Sequence, residues 1–183
     1  FAVDEKGDVQ PQMVGDYSLS DDKLTWTFTL RDGLAWHDGS PVTTADIIPS
    51  IQRWGKRDGA GQKLMDFTEK MNAVDDKTFT LKLKEPYGFV LDSLGKISSN
   101  TPFMMMKKHA ETDAFTQVTE IIGSGPFKFV QDEWVPGSKV VYVKNEDYVP
   151  RDEPASGAAG GKVVKVDRVE WIYIPDPATT MNA

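Results

Sequence analysis

Residues 24–54 open Leu24-Thr25-Trp26-Thr27-Phe28-Thr29-Leu30-Arg31-Asp32-Gly33-Leu34-Ala35-Trp36-His37-Asp38-Gly39-Ser40-Pro41-Val42-Thr43-Thr44-Ala45-Asp46 and run on from Ile47 to Trp54. Leu24, Trp26, Phe28 and Leu30 alternate with Thr25, Thr27 and Thr29. Successive strand side chains point to opposite faces, so the alternation predicts a strand with one buried face and one wet face. Threonines and aromatics also suit a pleated surface. Asp32-Gly33 and Asp38-Gly39 supply the positive φ that tight turns need. Thr43-x-x-Asp46 has the spacing of a capping box, in which hydroxyl and carboxylate satisfy each other's backbone N–H groups. It predicts a helix with Ile47, Ile48, Ile51 and Trp54 on one side. Pro49 removes one helical hydrogen bond, at about 3 kcal/mol in a helix interior. So near the helix start it predicts distortion and not a break. Gly55 and Asp58-Gly59 end the helix. Nothing in the stretch forms a catalytic set.

Outward from this stretch, residues 1–12 read as an incoming loop and 13–20 as a short strand. A second helix is expected over 61–71, with Leu64, Met65 and Phe67 as its apolar contacts. Residues 72–74 and 78–84 flank the charged turn Asp75-Asp76-Lys77 and predict an antiparallel hairpin. Short helices are expected over 89–94 and over 107–120, the latter with Phe115 and Val118 facing in. Gly123-Ser124-Gly125-Pro126 predicts a sharp turn into a strand over 127–133, which pairs with 139–144 across Pro136-Gly137-Ser138. Residues 149–162 are the one low-complexity stretch and read as a surface loop. Residues 163–174 are extended, with Val164, Val166, Val169, Trp171 and Tyr173 available for burial, and Pro175-Asp176-Pro177 stops them. The fold class is α+β.

The chain has 183 residues, 39% of them hydrophobic and 27% charged, enough to bury a core in one domain or one and a half small ones. Its formal net charge of −7 without a basic cluster argues against nucleic acid and anionic membrane surfaces. With no cysteine, disulfides and thiolate chemistry are excluded. No apolar run approaches the roughly 20 residues of a spanning helix. The start at Phe1, without a signal peptide, and the stop just after an extended segment are read as the ends of a piece of a larger protein.

His37-Asp38 has the composition of a base with its orienting acid. Its neighbours are turn residues and no nucleophile accompanies it, so a structural role comes first. Two isolated histidines without cysteine offer no zinc spacing, and no metal or cofactor is expected. Residues 156–162 fail the phosphate-loop pattern: Ser156 stands where glycine is required, and Val163 follows Lys162. Asp46, Asp66, Asp75 and Asp76 sit at caps and turns, where acids serve local hydrogen bonds. Trp26 and Trp54 fall on apolar faces, and the tryptophans read first as core. Trp36 and Trp134 lie near turns and are candidates for exposed aromatics. Gly123, Ser124 and Gly125 are the candidate ligand-binding residues, because a glycine-rich segment can present backbone N–H groups. Turn formation is the plainer account of the same residues. On the residues alone a binding role outranks an enzymatic one.

The pattern Thr25-Trp26-Thr27-Phe28-x-Leu30-Arg31-Asp32-Gly33-x-x-Trp36-His37-Asp38-Gly39-Ser40-Pro41-Val42-Thr43-x-x-Asp46 resembles the signature of the family 5 extracellular solute-binding proteins, receptors of ABC importers. Three further stretches resemble that family in its order: Asp76-x-Thr78-Phe79-Thr80-Leu81-x-Leu83 with Glu85-Pro86, Ile122-Gly123-Ser124-Gly125-Pro126-Phe127, and Asn145-Glu146-Asp147-Tyr148. The tail Val169-x-Trp171-Ile172-x-x-Ile174-Pro175-Asp176 is also similar. Pro49 and the long loop over 151–162 depart from the family pattern. The resemblance implies lobe one of a type II periplasmic-binding-protein-like fold, a mixed sheet with antiparallel hairpins and short helices, left incomplete without its second lobe. It implies an accessory subdomain over 1–120 and part of the main ligand-facing subdomain over 121–183. It further implies a non-enzymatic, monomeric receptor in the periplasm, or anchored outside the cell, that carries peptides or similar small solutes to a membrane ABC permease. Nickel complexes, opines, sugars and haem are other ligands of the family. The rival expectations are a free-standing carbohydrate- or protein-interaction module and a hydrolase using His37.

Overall fold

The computed structural model describes residues 1–176 and Met181, so the expected stop at Pro175-Asp176-Pro177 lies partly outside the described residues. Where a loop was expected at the start, β1 (Ala2–Val3) pairs with β2 (Val9–Gln10). The Asp4 carboxylate makes this hairpin by accepting from the Lys6 and Asp8 N–H groups, each at 2.9 Å, and from Gln10 Nε2 at 3.0 Å.

β3 (Val14–Leu19), β4 (Thr25–Leu30), β5 (Thr68–Ala73) and β6 (Thr78–Leu83) form an antiparallel sheet in the order β3-β4-β6-β5. The alternation in β4 has the expected consequence: Phe28 and Leu30 are buried, and Thr27 pairs with Thr80 on the other face. Phe28 stacks on Phe79 of β6 with ring centroids 5.2 Å apart. Phe79, Leu81 and Leu83 complete this face of the core.

Helix α1 (Thr44–Gly55) lays Ile47, Ile51 and Trp54 into the same core. Asp46 Oδ2 accepts from the Thr43 N–H at 3.0 Å, the acid's half of the expected capping box. Its other oxygen accepts from the Lys107 N–H at 2.7 Å, and Trp36 Nε1 donates to the carboxylate at 3.3 Å. This draws Trp36 to 3% exposure, which corrects its reading as an exposed aromatic; Trp134 does lie at the surface. Pro49 leaves α1 unbroken, and the carbonyl it frees belongs to exposed Ala45.

Helix α2 (Gly59–Phe67) starts at Asp58, whose carboxylate accepts from the Ala60 and Gly61 N–H groups. It stops four residues before the expected end. Residues 68–71 belong to β5, since there they complete the hydrogen bonds of β6, and sheet pairing outweighs local helix propensity. At Gly61 a Cβ would stand 2.9 Å from Gly55 Cα, so the close approach of the two helices requires glycine.

Helix α3 (Val90–Leu94) is as expected, but α4 (Lys107–Ala110) is a single turn where a helix to residue 120 was predicted. Arg53 is the reason. Its buried guanidinium donates to the carbonyls of Thr112 (2.6 Å), Asp113 (2.8 Å) and Thr116 (2.7 Å), which a helix would keep for itself. Phe115 consequently points outward at 71% exposure, beneath the Arg57 guanidinium.

The remaining strands are β7 (Phe127–Phe129), β8 (Lys139–Lys144) and β9 (Arg168–Ile172), an antiparallel sheet in that order. The strand expected to reach residue 133 gives way at Gln131–Glu133 to one 3₁₀ turn. Arg168 of β9 draws the Glu133 carboxylate across β8, at 2.9 and 2.5 Å. Trp171 and Tyr173, expected in the core, are each 66% exposed.

The loop over 149–162 is also more than surface. Ala159, Gly160 and Gly161 are buried. Arg151 donates to the Val14 carbonyl at 2.9 Å, Gln12 donates to the Gly160 carbonyl at 3.2 Å, and the Ala158 N–H reaches the Val3 carbonyl at 2.9 Å. Its small residues let the backbone lie flat against the first hairpin. The architecture is α+β, antiparallel hairpins with short helices. Among the described residues no helix is long and apolar enough to cross a membrane.

Candidate ligand-binding site

A half-open cavity of about 750 Å³ lies over the four-stranded sheet and α1. Phe28, Leu30, Ile47, Ile51 and Phe79 form its floor, and the segments around Met104 and over 120–127 form its side. Its volume and predominantly apolar wall, with a few polar groups, are those of small-molecule sites. Gly123, Ser124 and Gly125 all line it, and so does His37.

His37 holds the glycine segment in place. The His37 N–H donates to the Gly123 carbonyl at 2.8 Å, and the Gly123 N–H donates back to Nδ1 at 3.2 Å. Nδ1 therefore carries a lone pair, so Nε2 bears the proton and donates to the Gly125 carbonyl at 3.0 Å. Burial, reinforced by Lys128, outweighs the Gly125 hydrogen bond and the nearby Asp38, and the imidazole pKa is lowered. Both ring nitrogens are engaged with backbone, so His37 has no free lone pair with which to act as a base.

Asn145, the residue after β8, braces the same segment. It is buried, its Nδ2 donates to the Gly125 carbonyl at 3.1 Å, and its N–H donates to the Pro126 carbonyl at 2.9 Å. Three motifs far apart in sequence thus meet through His37, Gly123 to Pro126, and Asn145. The expected sharp turn is an extended run with a bend at Gly125-Pro126, and neither glycine has a left-handed φ. Gly123 serves proximity: a Cβ there would stand 3.0 Å from His37 Cε1.

The three candidates are therefore unequal. Gly123 has both backbone groups tied to His37, and the Gly125 carbonyl holds two donors. Among the described residues, Ser124 and the Gly125 N–H make no hydrogen bond, which leaves them free to meet a ligand. The Nε2 of His109, the other histidine, lies 2.8 Å from a Glu120 carboxylate oxygen, and Lys108 pairs with the same oxygen at 2.6 Å. Asn145 belongs to a motif of the sequence that does not by itself mark it as a site residue. Arg31 and Lys162 also line the cavity and carried no signal of it.

Residues 8–183 match the family described as bacterial extracellular solute-binding proteins, family 5, middle part. The chain is 49% identical over 185 residues to a probable peptide ABC transporter periplasmic-binding protein of Sinorhizobium fredii, covering 100% of this chain and 34% of that protein. It is 26% identical over 190 residues to the dipeptide-binding protein DppE of Bacillus subtilis, covering 93% and 32%. Among solved structures it resembles the binding protein AgaA of A. tumefaciens R10 in complex with agropinic acid, with a TM-score of 0.76 at 25% identity over 99% of this chain and 34% of that one. A putative peptide-binding protein AppA of Clostridium difficile gives 0.74 at 25% identity, over 98% and 36%. The chain spans about a third of the length of these relatives.

Proposed function

The chain belongs to the bacterial extracellular solute-binding proteins, family 5, and from that premise we propose that it is lobe one of an ABC importer's receptor. The whole receptor captures peptides or similar small solutes outside the cytoplasmic membrane and delivers them to a membrane permease. The observation that carries this is the cavity of about 750 Å³ with Ser124 and the Gly125 N–H on its wall, beside a histidine whose nitrogens are both engaged. Such a wall can hold a solute, and its histidine is not placed to activate a nucleophile. Residues 1–120 form the accessory subdomain and 121–183 the start of the ligand-facing one, joined at His37 and Gly123. The receptor works as a monomer, in the periplasm or held at the outer surface.

A receptor of this kind closes two lobes around its solute, because only the closed state contacts it from both sides. Lobe one alone forgoes that gain. Calorimetry with a mixture of short peptides tests this. The longer receptor is expected to bind at micromolar affinity or better, and the 183-residue chain is not. Micromolar binding by the 183-residue chain, or none by the longer receptor, would overturn the proposal. The exposed Trp171, Ile172 and Tyr173, at and just after the end of β9, speak against a free-standing interaction module, whose own core would cover them.

A further inference from the structure

We infer that the chain has a second binding site, round α1 from the cavity, which takes a small anion built on a flat aromatic ring, an aryl carboxylate. A half-open hollow of about 660 Å³ lies there. Ile47 and Ile51 line the cavity, whereas Ser50, Arg53 and Trp54 of α1, with Arg57 just beyond its end, line this hollow. Residues 114–118 form the wall across from them. That wall is no helix because Arg53 takes the carbonyls of Thr112, Asp113 and Thr116, so the bonds that undo the helix also open the hollow. The Trp54 indole N–H donates to the Asn100 carbonyl at 2.5 Å and ties residues 99–101 to α1 as the remaining side. The site stands apart from the transport role proposed above and does not depend on it.

The charge of the lining has one sign. None of the described residues that line the hollow is acidic, in a chain whose formal charge is −7. Arg53, in the last turn of α1, donates to carbonyls and to the Thr112 hydroxyl, and it offsets the negative end of the helix dipole. Arg57 is left over. Among the described residues it donates to the Ala114 carbonyl alone, at 3.0 Å, so most of its planar fork is free, and such a fork matches a carboxylate in two-point fashion. The same guanidinium stands 4.9 Å from the centre of the Phe115 ring. Phe115 and Phe103, both exposed, give the hollow two phenyl rings that a flat ligand ring would cover. Gln117, also on the lining, makes no hydrogen bond among the described residues and has its amide to offer. Thr101, Phe103, Met105 and Val118 line both hollows, so a ligand here abuts the wall of the larger cavity.

The test uses 2-naphthoate, the neutral 2-naphthamide and the saturated decahydro-2-naphthoate. Each is titrated into the isotope-labelled 183-residue chain while the Trp54 indole N–H and the Gln117 amide are followed by NMR. Ser124 and Gly125 report any separate occupancy of the larger cavity. Naphthoate is expected to shift the Trp54 and Gln117 signals to saturation. The amide and the saturated acid should bind there about fivefold more weakly, the upper range for one exposed ion pair and within the range for one aromatic contact. Arg57→Gln should weaken naphthoate about fivefold and leave naphthamide unchanged. Phe115→Leu should remove the preference for naphthoate over its saturated analogue. Arg57 and Phe115 are exposed, so neither variant threatens the fold. No saturable shift at Trp54 and Gln117, equal binding of naphthoate and naphthamide there, or an unchanged Arg57→Gln would each overturn the inference. Loss of the response in the longer receptor would overturn it too, by showing the hollow filled by the receptor's own chain. Peptide binding by the longer receptor is measured separately, so a failure here does not touch the proposed role.

Discussion

His37→Ala should unfasten the glycine segment, and its cost can be worked from the geometry. The substitution removes two side-chain bonds, Gly123 N–H to Nδ1 at 3.2 Å and Nε2–H to the Gly125 carbonyl at 3.0 Å. The backbone bond from the residue 37 N–H to the Gly123 carbonyl survives. The Gly125 carbonyl keeps Asn145 as a donor, so only the Gly123 N–H is orphaned. An average hydrogen bond contributes about 1 kcal/mol net, and an orphaned buried donor costs about 1–3. The open cavity lets water reach Gly123, so the expected total is about 2 kcal/mol at pH 8. The dependence on pH has a definite sign. The folded pKa of His37 is lowered, so between it and the unfolded value of 6.5 the unfolded chain binds a proton that the folded chain refuses. The stability from His37 is complete above pH 6.5 and is lost as pH falls through the folded pKa. The gap between parent and variant should therefore narrow toward pH 5. Urea unfolding followed by tryptophan fluorescence at both pH values measures it. A variant as stable as the parent at pH 8, or a gap that does not narrow in acid, would refute the reasoning.

Other substitutions probe the scaffold around the site. Asp46→Ala orphans the Thr43 and Lys107 N–H groups and the Trp36 indole, and should cost about 3 kcal/mol by chemical denaturation, more than an ordinary helix cap. Arg53→Met keeps most of the apolar stem but frees the carbonyls of 112–116; limited proteolysis should then cut within 111–118, where the parent resists. Gly160→Ala forces a Cβ to 2.1 Å from the Pro154 carbonyl oxygen at a φ of 80°, and should lower the midpoint of thermal unfolding by several degrees, whereas Gly137→Ala, with a positive φ but open space, should lower it less.

How much was legible in the sequence follows from how local each cause is. The β4 alternation, the Gly33 and Gly39 turns and the Thr43-x-x-Asp46 start of α1 depend on residues within a few positions of one another. Periodicity and cap chemistry therefore disclosed them, and through them the α+β class and the family. The misplaced elements have distant causes. The helix expected over 107–120 fails because Arg53, more than fifty residues earlier, takes its carbonyls. Residues 68–71 leave the helix because β6 offers backbone partners. The 149–162 stretch reads as a surface loop because its partners lie in residues 3–14.

The candidate site divides in the same way. Composition and spacing marked Gly123, Ser124 and Gly125 as a segment able to present backbone groups, and marked His37 as a histidine without a nucleophile. Only the tertiary structure brought His37 against Gly123, 86 positions away, and so engaged one residue's donor while leaving Ser124 and the Gly125 N–H open. Only the tertiary structure, too, set Lys162 and Arg31 on one apolar wall of an acidic chain. Local sequence specifies which hydrogen-bonding and charged groups exist. Which of them remain unsatisfied, and which share the lining of one cavity, is decided by long-range packing that no short window of residues contains.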